Sequence, residues 1–165
     1  VVSLSERYGE EAICREPYEE IVDDMEERLK TFCRRHQIGD AVRQGNVQML
    51  GASGTVTTLA GVSLNLPRYD RSMVDGATLD FEEVQSVSER LRHMACEERA
   101  AHPCIGAERA KLVIAGCAVL EAIMRRWSVG SIRVADRGVR EGILFDLMQQ
   151  ADAERDAGHD AHGSR

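Results

Sequence analysis

The segment Leu50-Gly51-Ala52-Ser53-Gly54-Thr55-Val56-Thr57-Thr58-Leu59-Ala60 brings together residue types that hold phosphate. Its glycines let backbone N–H groups approach a ligand, and the positive end of a following helix attracts anions. Ser53, Thr55 and Thr57 add hydroxyl groups. With neither GK[ST] nor GxGxxG, the segment is not a Walker A loop or a dinucleotide fingerprint. The same residues equally suit a tight turn with Ser or Thr as N-cap, and spacing alone leaves both readings open.

A second segment, Val134-Ala135-Asp136-Arg137-Gly138-Val139-Arg140-Glu141-Gly142-Ile143, reads as a strand end, a turn and a helix start. A strand ending there places Asp136 and Arg137 at a carboxyl edge, where α/β folds bind ligands. Arg140 carries the planar fork that grips a phosphate. The alternative is an Asp N-cap with an Arg140–Glu141 surface pair. His93, Cys96, His102 and Cys104 have zinc-ligand chemistry, but their HxxC…HxC spacing matches no standard site. They read as ordinary packing, and no metal site is assigned. No GxSxG elbow occurs, and no carboxylate pair stands out among the many acids.

These segments need elements to position them. Pro17 to His36 reads as a helix, with Tyr18, Ile21, Val22, Met25, Leu29, Phe32 and Cys33 at three- and four-residue steps. Val1 to Ser5 reads as a strand end, Asn46 to Leu50 as a short buried strand, and Thr55 to Leu64 as the helix after it. Pro67 to Ala77 reads as a loop. Asp80 and Glu83 form a capping box for the next helix, with Leu79 and Val84 as its staple. Glu97 to Cys104 breaks the helical pattern. Gly106 to Trp127 reads as one helix, apolar nearly all round and so buried on more than one side against a sheet, with Gly116 as a point of close approach. Ser131 to Ala135 is a strand and Val139 to Gln150 a closing helix. The expected domains are one α/β lobe over 1–150 and a disordered tail over 151–165. Too few strands for so many helices implies an incomplete sheet, half of a larger fold.

Composition narrows the function. The chain has 165 residues, 43% hydrophobic and 30% charged, as in a soluble globular domain. A net charge of −7 argues against a nucleic-acid surface but not against a local phosphate site. No apolar run approaches the ~20 residues that span a bilayer, and no signal peptide is visible, so no membrane partner is expected. The five cysteines include no CxxC pair and read as reduced thiols in the cytoplasm.

Taken together, the segments resemble the Ppx/GppA phosphatase family (exopolyphosphatase / guanosine pentaphosphate phosphohydrolase) from about Val1 to Met148. Val2-Ser3-Leu4-Ser5-Glu6-Arg7-Tyr8 resembles the stretch after that family's second phosphate loop. Gly51 to Ala60 is close to its GTSGT-type motif. Glu98-Arg99, Pro103-Cys104-Ile105 and Glu108-Arg109-Ala110 match its ER…PGI…RAD block. Val134 to Leu144 resembles its closing S-D-x-G-x-R-E-G segment, with Ala135 and Arg137 as departures.

The resemblance implies an RNase H-like second lobe of the actin/hexokinase/Hsp70 superfamily, with substrate between two lobes. It implies water attack on the terminal phosphate of inorganic polyphosphate or guanosine pentaphosphate (pppGpp), with Mg²⁺ whose ligands are not identified in this sequence, and a setting in the stringent response. The general-base Glu and the Gly-Gly-Gly-Ser loop are absent from the 165 residues, so no catalytic residue is assigned. Gly51, Ser53, Gly54 and Thr55 are the expected cleft-lining set, with Asp136, Gly138, Arg140 and Glu141 shaping or supporting it. The expected partners are the substrate, an N-terminal lobe of the same protein and, as an open alternative, a second copy in a homodimer. The chain alone is expected to be inactive and to leave a sheet edge and apolar surface bare. The competing reading is a non-catalytic phosphate-ligand-binding or regulatory module of the same fold.

Overall fold

The computed structural model describes residues 1, 3, 4, 7 and 15–160. Cys14 and residues 161–165 lie outside them. The long first helix, α1, spans Arg15–His36, and a short α2 follows over Ile38–Arg43. Strand β1 is Met49–Gly51, and α3 (Gly54–Ser63) leaves it directly. Then come α4 (Arg71–Val74), β2 (Thr78–Asp80), α5 (Phe81–His93), α6 (Cys96–Ala101), α7 (Ala107–Ala110), α8 (Val113–Arg126), β3 (Ser131–Val134) and α9 (Val139–Asp160).

The described residues form a three-stranded sheet in the order β1-β3-β2. β1 runs parallel to β3, with Gly51 opposite Val134, and β2 runs antiparallel, with Leu79 opposite Ile132. The parallel pair aligns the two carboxyl ends, so the loops after Gly51 and Val134 lie side by side, tied by the Ala135 N–H donating to Gly51 O at 2.9 Å. β1 pairs on one side only among the described residues, and Leu50 on it is 65% exposed. That is the bare sheet edge expected from the low strand count.

The core is aliphatic. α8 packs chiefly along α1 and also touches α5 and α3. Its principal neighbour is thus a helix, where the sequence reading expected the sheet. Gly116 does allow a close approach, but of a side chain: a Cβ there would collide with Thr55 Oγ1 and stand 2.9 Å from Thr55 Cγ2. Tyr18 on α1 is buried, donates to Glu121 Oε2 of α8 at 2.6 Å, and lies 3.9 Å beneath the Arg92 guanidinium of α5. Burial, then the Glu121 carboxylate, pushes the Tyr18 hydroxyl far above its ordinary range.

Several expectations are corrected. The helix expected over Gly106–Trp127 is broken at Lys111 and Leu112, because Ala110 O accepts from Arg99 Nε at 3.2 Å instead of serving the helical ladder. Arg99 also donates to Leu91 O and Met94 O at 3.1 and 2.8 Å, so it stitches α5, α6 and α7 together. The loop Pro67–Ala77 contains α4, started by the Asp70 carboxylate accepting from the Ser72 N–H at 2.9 Å. Glu97 to Cys104 contains most of α6, and β2 had no counterpart in the sequence reading. Ser3 and Leu4, expected at a strand end, are helical, and α9 continues past Gln150 to Asp160 where a tail was expected. The capping box at Asp80 is present, with Glu83 Oε2 accepting from the Asp80 N–H at 2.8 Å.

Gly116→Ala forces the Thr55 clash and is expected to destabilise the fold by roughly 1–3 kcal/mol, the usual cost of overpacking. Urea unfolding measures it, and Thr55→Ala in the same chain recovers part of the loss. Tyr18→Phe is expected to cost about 1.5–3 kcal/mol, the value of a hydrogen bond to a charged group. The raised Tyr18 pKa also gives a sign: unfolded Tyr ionises near pH 10 while folded Tyr18 does not, so stability falls as pH rises above that value. Tyr18→Phe should flatten this alkaline part of the urea-midpoint profile.

Candidate functional site

The aligned carboxyl ends of β1 and β3 create two adjoining clefts, with Ala52 lining one and Ser53 the other. The first, about 290 Å³, is bounded by Ser53, Gly54, Thr55, Thr58, Arg109 and Leu112. Ser53 is the N-cap of α3, and its Oγ accepts from the Val56 N–H at 3.4 Å. Gly54 opens the helix, and a Cβ there would have only the Arg109 guanidinium nearby, at 3.9 Å. Arg109 Nη1 donates to Thr58 Oγ1 at 3.1 Å, and its guanidinium lies 6.0 Å from the Tyr69 ring centroid. Among the described residues Arg109 has no carboxylate partner. One unneutralised guanidinium therefore stands beside the positive end of a ten-residue helix.

Gly51 belongs to the packing beneath this cleft. It is buried, and a Cβ would stand 2.7 Å from Ile132 Cδ1 and 2.8 Å from Val56 Cγ1. Thr55 lines the cleft wall while its side chain presses on Gly116.

The second cleft, about 390 Å³, gathers Asp136, Gly138, Arg140 and Glu141 as the closing motif suggested, and adds Arg71 and Arg137. Its carboxylates are spoken for. Asp136 Oδ2 accepts from Tyr69 Oη at 2.9 Å and faces Arg71 Nε at 3.4 Å. Arg71 also donates to Asp136 O and approaches Glu141 Oε1 at 3.3 Å. Glu141 Oε2 accepts from the Gly138 N–H at 2.8 Å, an N-terminal cap for α9. The Gly138 N–H, with Arg71 beside it, holds the Glu141 pKa down to about 2. Asp75 accepts from the Asp136 N–H at 2.9 Å and from Arg137 Nε at 3.0 Å, and these two contacts lower its pKa. Burial, then the contact with Asp136, raises that of Tyr69. Arg140 is exposed and has no ion-pair partner among the described residues.

No group of three or more His, Cys, Asp or Glu among the described residues is placed to hold a metal ion, and the three carboxylates at the cleft are engaged by N–H, tyrosine-hydroxyl and guanidinium donors. His93, Cys96, His102 and Cys104 do not converge either. His93 Nδ1 lies 2.8 Å from Glu89 O, and His102 Nδ1 accepts from the Cys104 N–H at 3.2 Å.

The residues the sequence reading did not single out for the site are Thr58, Arg109, Tyr69, Arg71 and Asp75. The sequence reading places Arg109 only within a motif block. For Arg71 and Asp75 a local signal existed in the Asp70-Arg71-Ser72 cap, which starts a helix inside the supposed loop. Nothing in the spacing links Arg109 to Gly54, fifty-five positions earlier.

Solved structures share this fold. An Aquifex aeolicus Ppx/GppA family member superposes with a TM-score of 0.75 at 22% identity, covering 91% of this chain and 46% of its own. A structure described as an exopolyphosphatase-like protein gives 0.72 at 25% identity, covering 91% of this chain and 48% of its own. An exopolyphosphatase from Cytophaga hutchinsonii gives 0.64 at 19% identity, with 82% and 43% covered. The chain thus spans about half the length of the solved structures it matches. No curated protein matches it. The small sheet among many helices is the α/β lobe of the actin-like superfamily. The pattern of the Ppx/GppA phosphatase family matches residues 1–151, and the chain belongs to that family.

Proposed function

We propose that this chain forms one wall of a cleft in which the terminal phosphate of inorganic polyphosphate or guanosine pentaphosphate is held and hydrolysed, the rest of the machinery coming from a companion half. Family membership supports a phosphatase-type role. The observation that carries the reading further is the unneutralised Arg109 guanidinium at the open N-terminus of α3, beside Gly54. Backbone N–H groups and a cation there suit the equatorial oxygens of a phosphoryl group, whose charge must be held as the anhydride breaks. Arg109 and the Ser53–Thr55 turn bind and orient. Arg140 supplies a second cation along the same edge, on a turn fixed by Asp136, Asp75 and Arg71. The reaction adds water across the terminal P–O–P link, releasing orthophosphate and a chain one phosphate shorter. Water activation is assigned to the companion half.

One observation favours the alternative for the chain by itself. The three carboxylates at the cleft are tied to donors, so none is free to take a proton from water. Alone, the chain would act as a phosphate-ligand-binding module, in a catalytic or regulatory setting such as the stringent response. A cytoplasmic location is supported by the free thiols of Cys33, Cys96, Cys104 and Cys117, the last pushed up to about 11 by burial and so unreactive. No helix among the described residues is long and apolar enough to cross a membrane.

The test compares this chain with a longer polypeptide that also carries its upstream half. The longer form is expected to release phosphate from polyphosphate or guanosine pentaphosphate with Mg²⁺, and the chain alone to bind tripolyphosphate without turnover. Arg109→Ala should lower kcat/KM of the longer form roughly 10- to 100-fold, as expected for losing a charge-assisted contact, with Arg109→Lys between. No phosphate release from either substrate refutes the hydrolase reading. Unchanged kcat/KM in Arg109→Ala refutes the role given to Arg109.

A further inference from the structure

Tyr69 lines neither cleft, yet it connects the two. Its ring is half-buried and packed against the core beside Gly61 of α3, where a Cβ would stand 3.6 Å from Tyr69 Cδ2. Its hydroxyl donates to Asp136 Oδ2 at 2.9 Å, in the turn after β3. The Arg109 guanidinium, which belongs to the cleft after β1, lies 6.0 Å from the ring centroid, at the reach of a cation–π attraction. Arg109 is exposed and sits on a helix of only four residues. A long side chain so placed keeps rotamer freedom, and a ligand that uses it must remove that freedom. Thr58, buried on α3, accepts from Arg109 Nη1 at 3.1 Å and restrains one end of the guanidinium. The Tyr69 ring offers a second restraint, and Asp136 holds that ring in place.

We propose that Tyr69 is a positioning residue for Arg109: its ring limits where the guanidinium stands, and its hydrogen bond to Asp136 fixes the ring. The proposal rests on the phosphate-binding reading of the cleft given above. It makes anion affinity in the cleft after β1 depend on a residue of the cleft after β3, so Asp136 acts through Tyr69 and not by touching the ligand. Charge alone predicts the opposite sign. A carboxylate near an anion repels it, and removing that carboxylate tightens binding. If Asp136 serves by holding the Tyr69 hydroxyl, removing its side chain loosens binding instead. The sign of the effect therefore separates the two.

Two measurements on the 165-residue chain test this: calorimetric titration with tripolyphosphate, and ¹⁵N relaxation of the Arg109 Nε–Hε group without ligand. Tyr69→Leu removes the ring and is expected to weaken binding about two- to fivefold, the range of an exposed cation–π contact. Tyr69→Phe keeps the ring and every charge and loses only the hydroxyl. It and Asp136→Ala are each expected to weaken binding about twofold or more, and the double variant no further, because both break one bond. Asp136→Asn loses the same charge as Asp136→Ala but keeps an acceptor, and should recover affinity relative to it. The Arg109 Nε–Hε order parameter should fall in Tyr69→Leu, Tyr69→Phe and Asp136→Ala. Tyr69→Phe deletes a single oxygen, and its urea midpoint reports whether the lobe still folds. A lowered midpoint with Arg109 order and affinity unchanged overturns the proposal, since Tyr69 then serves the fold alone. Tighter binding in Asp136→Ala overturns it as well. A chain that binds no tripolyphosphate, yet loses Arg109 order in these variants, refutes the cleft reading and leaves the positioning standing, so the two failures are distinguishable.

Discussion

The cleft depends on how tightly the first turn of α3 is wedged between the sheet and α8. Gly51 ends β1 against Ile132 and Val56, with no room for a Cβ. One turn later Thr55 presses on Gly116, which again has no room for one. Together these contacts leave α3 little freedom in the direction it takes from the strand. The helix therefore presents its N-terminus at the carboxyl edge, and Arg109, on α7, finds Gly54 and Thr58 within reach. The glycine of this motif that looks most like a ligand-approach residue, Gly51, serves packing, and the open one is Gly54.

The carboxyl edge divides by charge. In the cleft after β3, Arg71 and Arg137 are balanced by Asp136, Asp75 and Glu141, and each carboxylate is also bound to a backbone N–H or a tyrosine hydroxyl. Such a network holds a turn rigid and has little left for a ligand. In the cleft after β1, a guanidinium stands with no carboxylate among the lining residues. In a protein of net charge −7 the attraction for an anion is thus local. The balanced network sets the shape and the unbalanced cation supplies the field.

Much of this organisation was legible in the sequence. The β1–turn–α3 unit, the closing segment at Asp136–Glu141, the capping box at Asp80 and the helix over 15–36 all follow from short-range signals: turn glycines, caps and apolar periodicity. The failures have a common origin. The apolar run through Gly106–Trp127 looked continuous because the acceptor that interrupts it, Ala110 O, is claimed by Arg99 from another element. Strand β2 is three residues long and exists by pairing with β3, which local propensity does not register. Arg71 and Arg109 reach the clefts through tertiary packing across dozens of residues, and motif spacing cannot convey that distance.

The same distinction bears on the proposed hydrolysis. Breaking a phosphoanhydride with water needs positive charge around the phosphoryl oxygens and an acceptor for the proton of water. The described residues furnish the first through Arg109, Arg140 and the start of α3. The carboxylates at the cleft do not offer the second, since Asp75, Asp136 and Glu141 are engaged by donors and Glu141 is held down to about 2. Loosening that network to free a base would release the turn that places Arg140. Rigid positioning and proton transfer thus compete for the same three carboxylates, and this chain has committed them to positioning. In the proposed hydrolysis, an active centre built on this wall would draw its proton acceptor from the facing one.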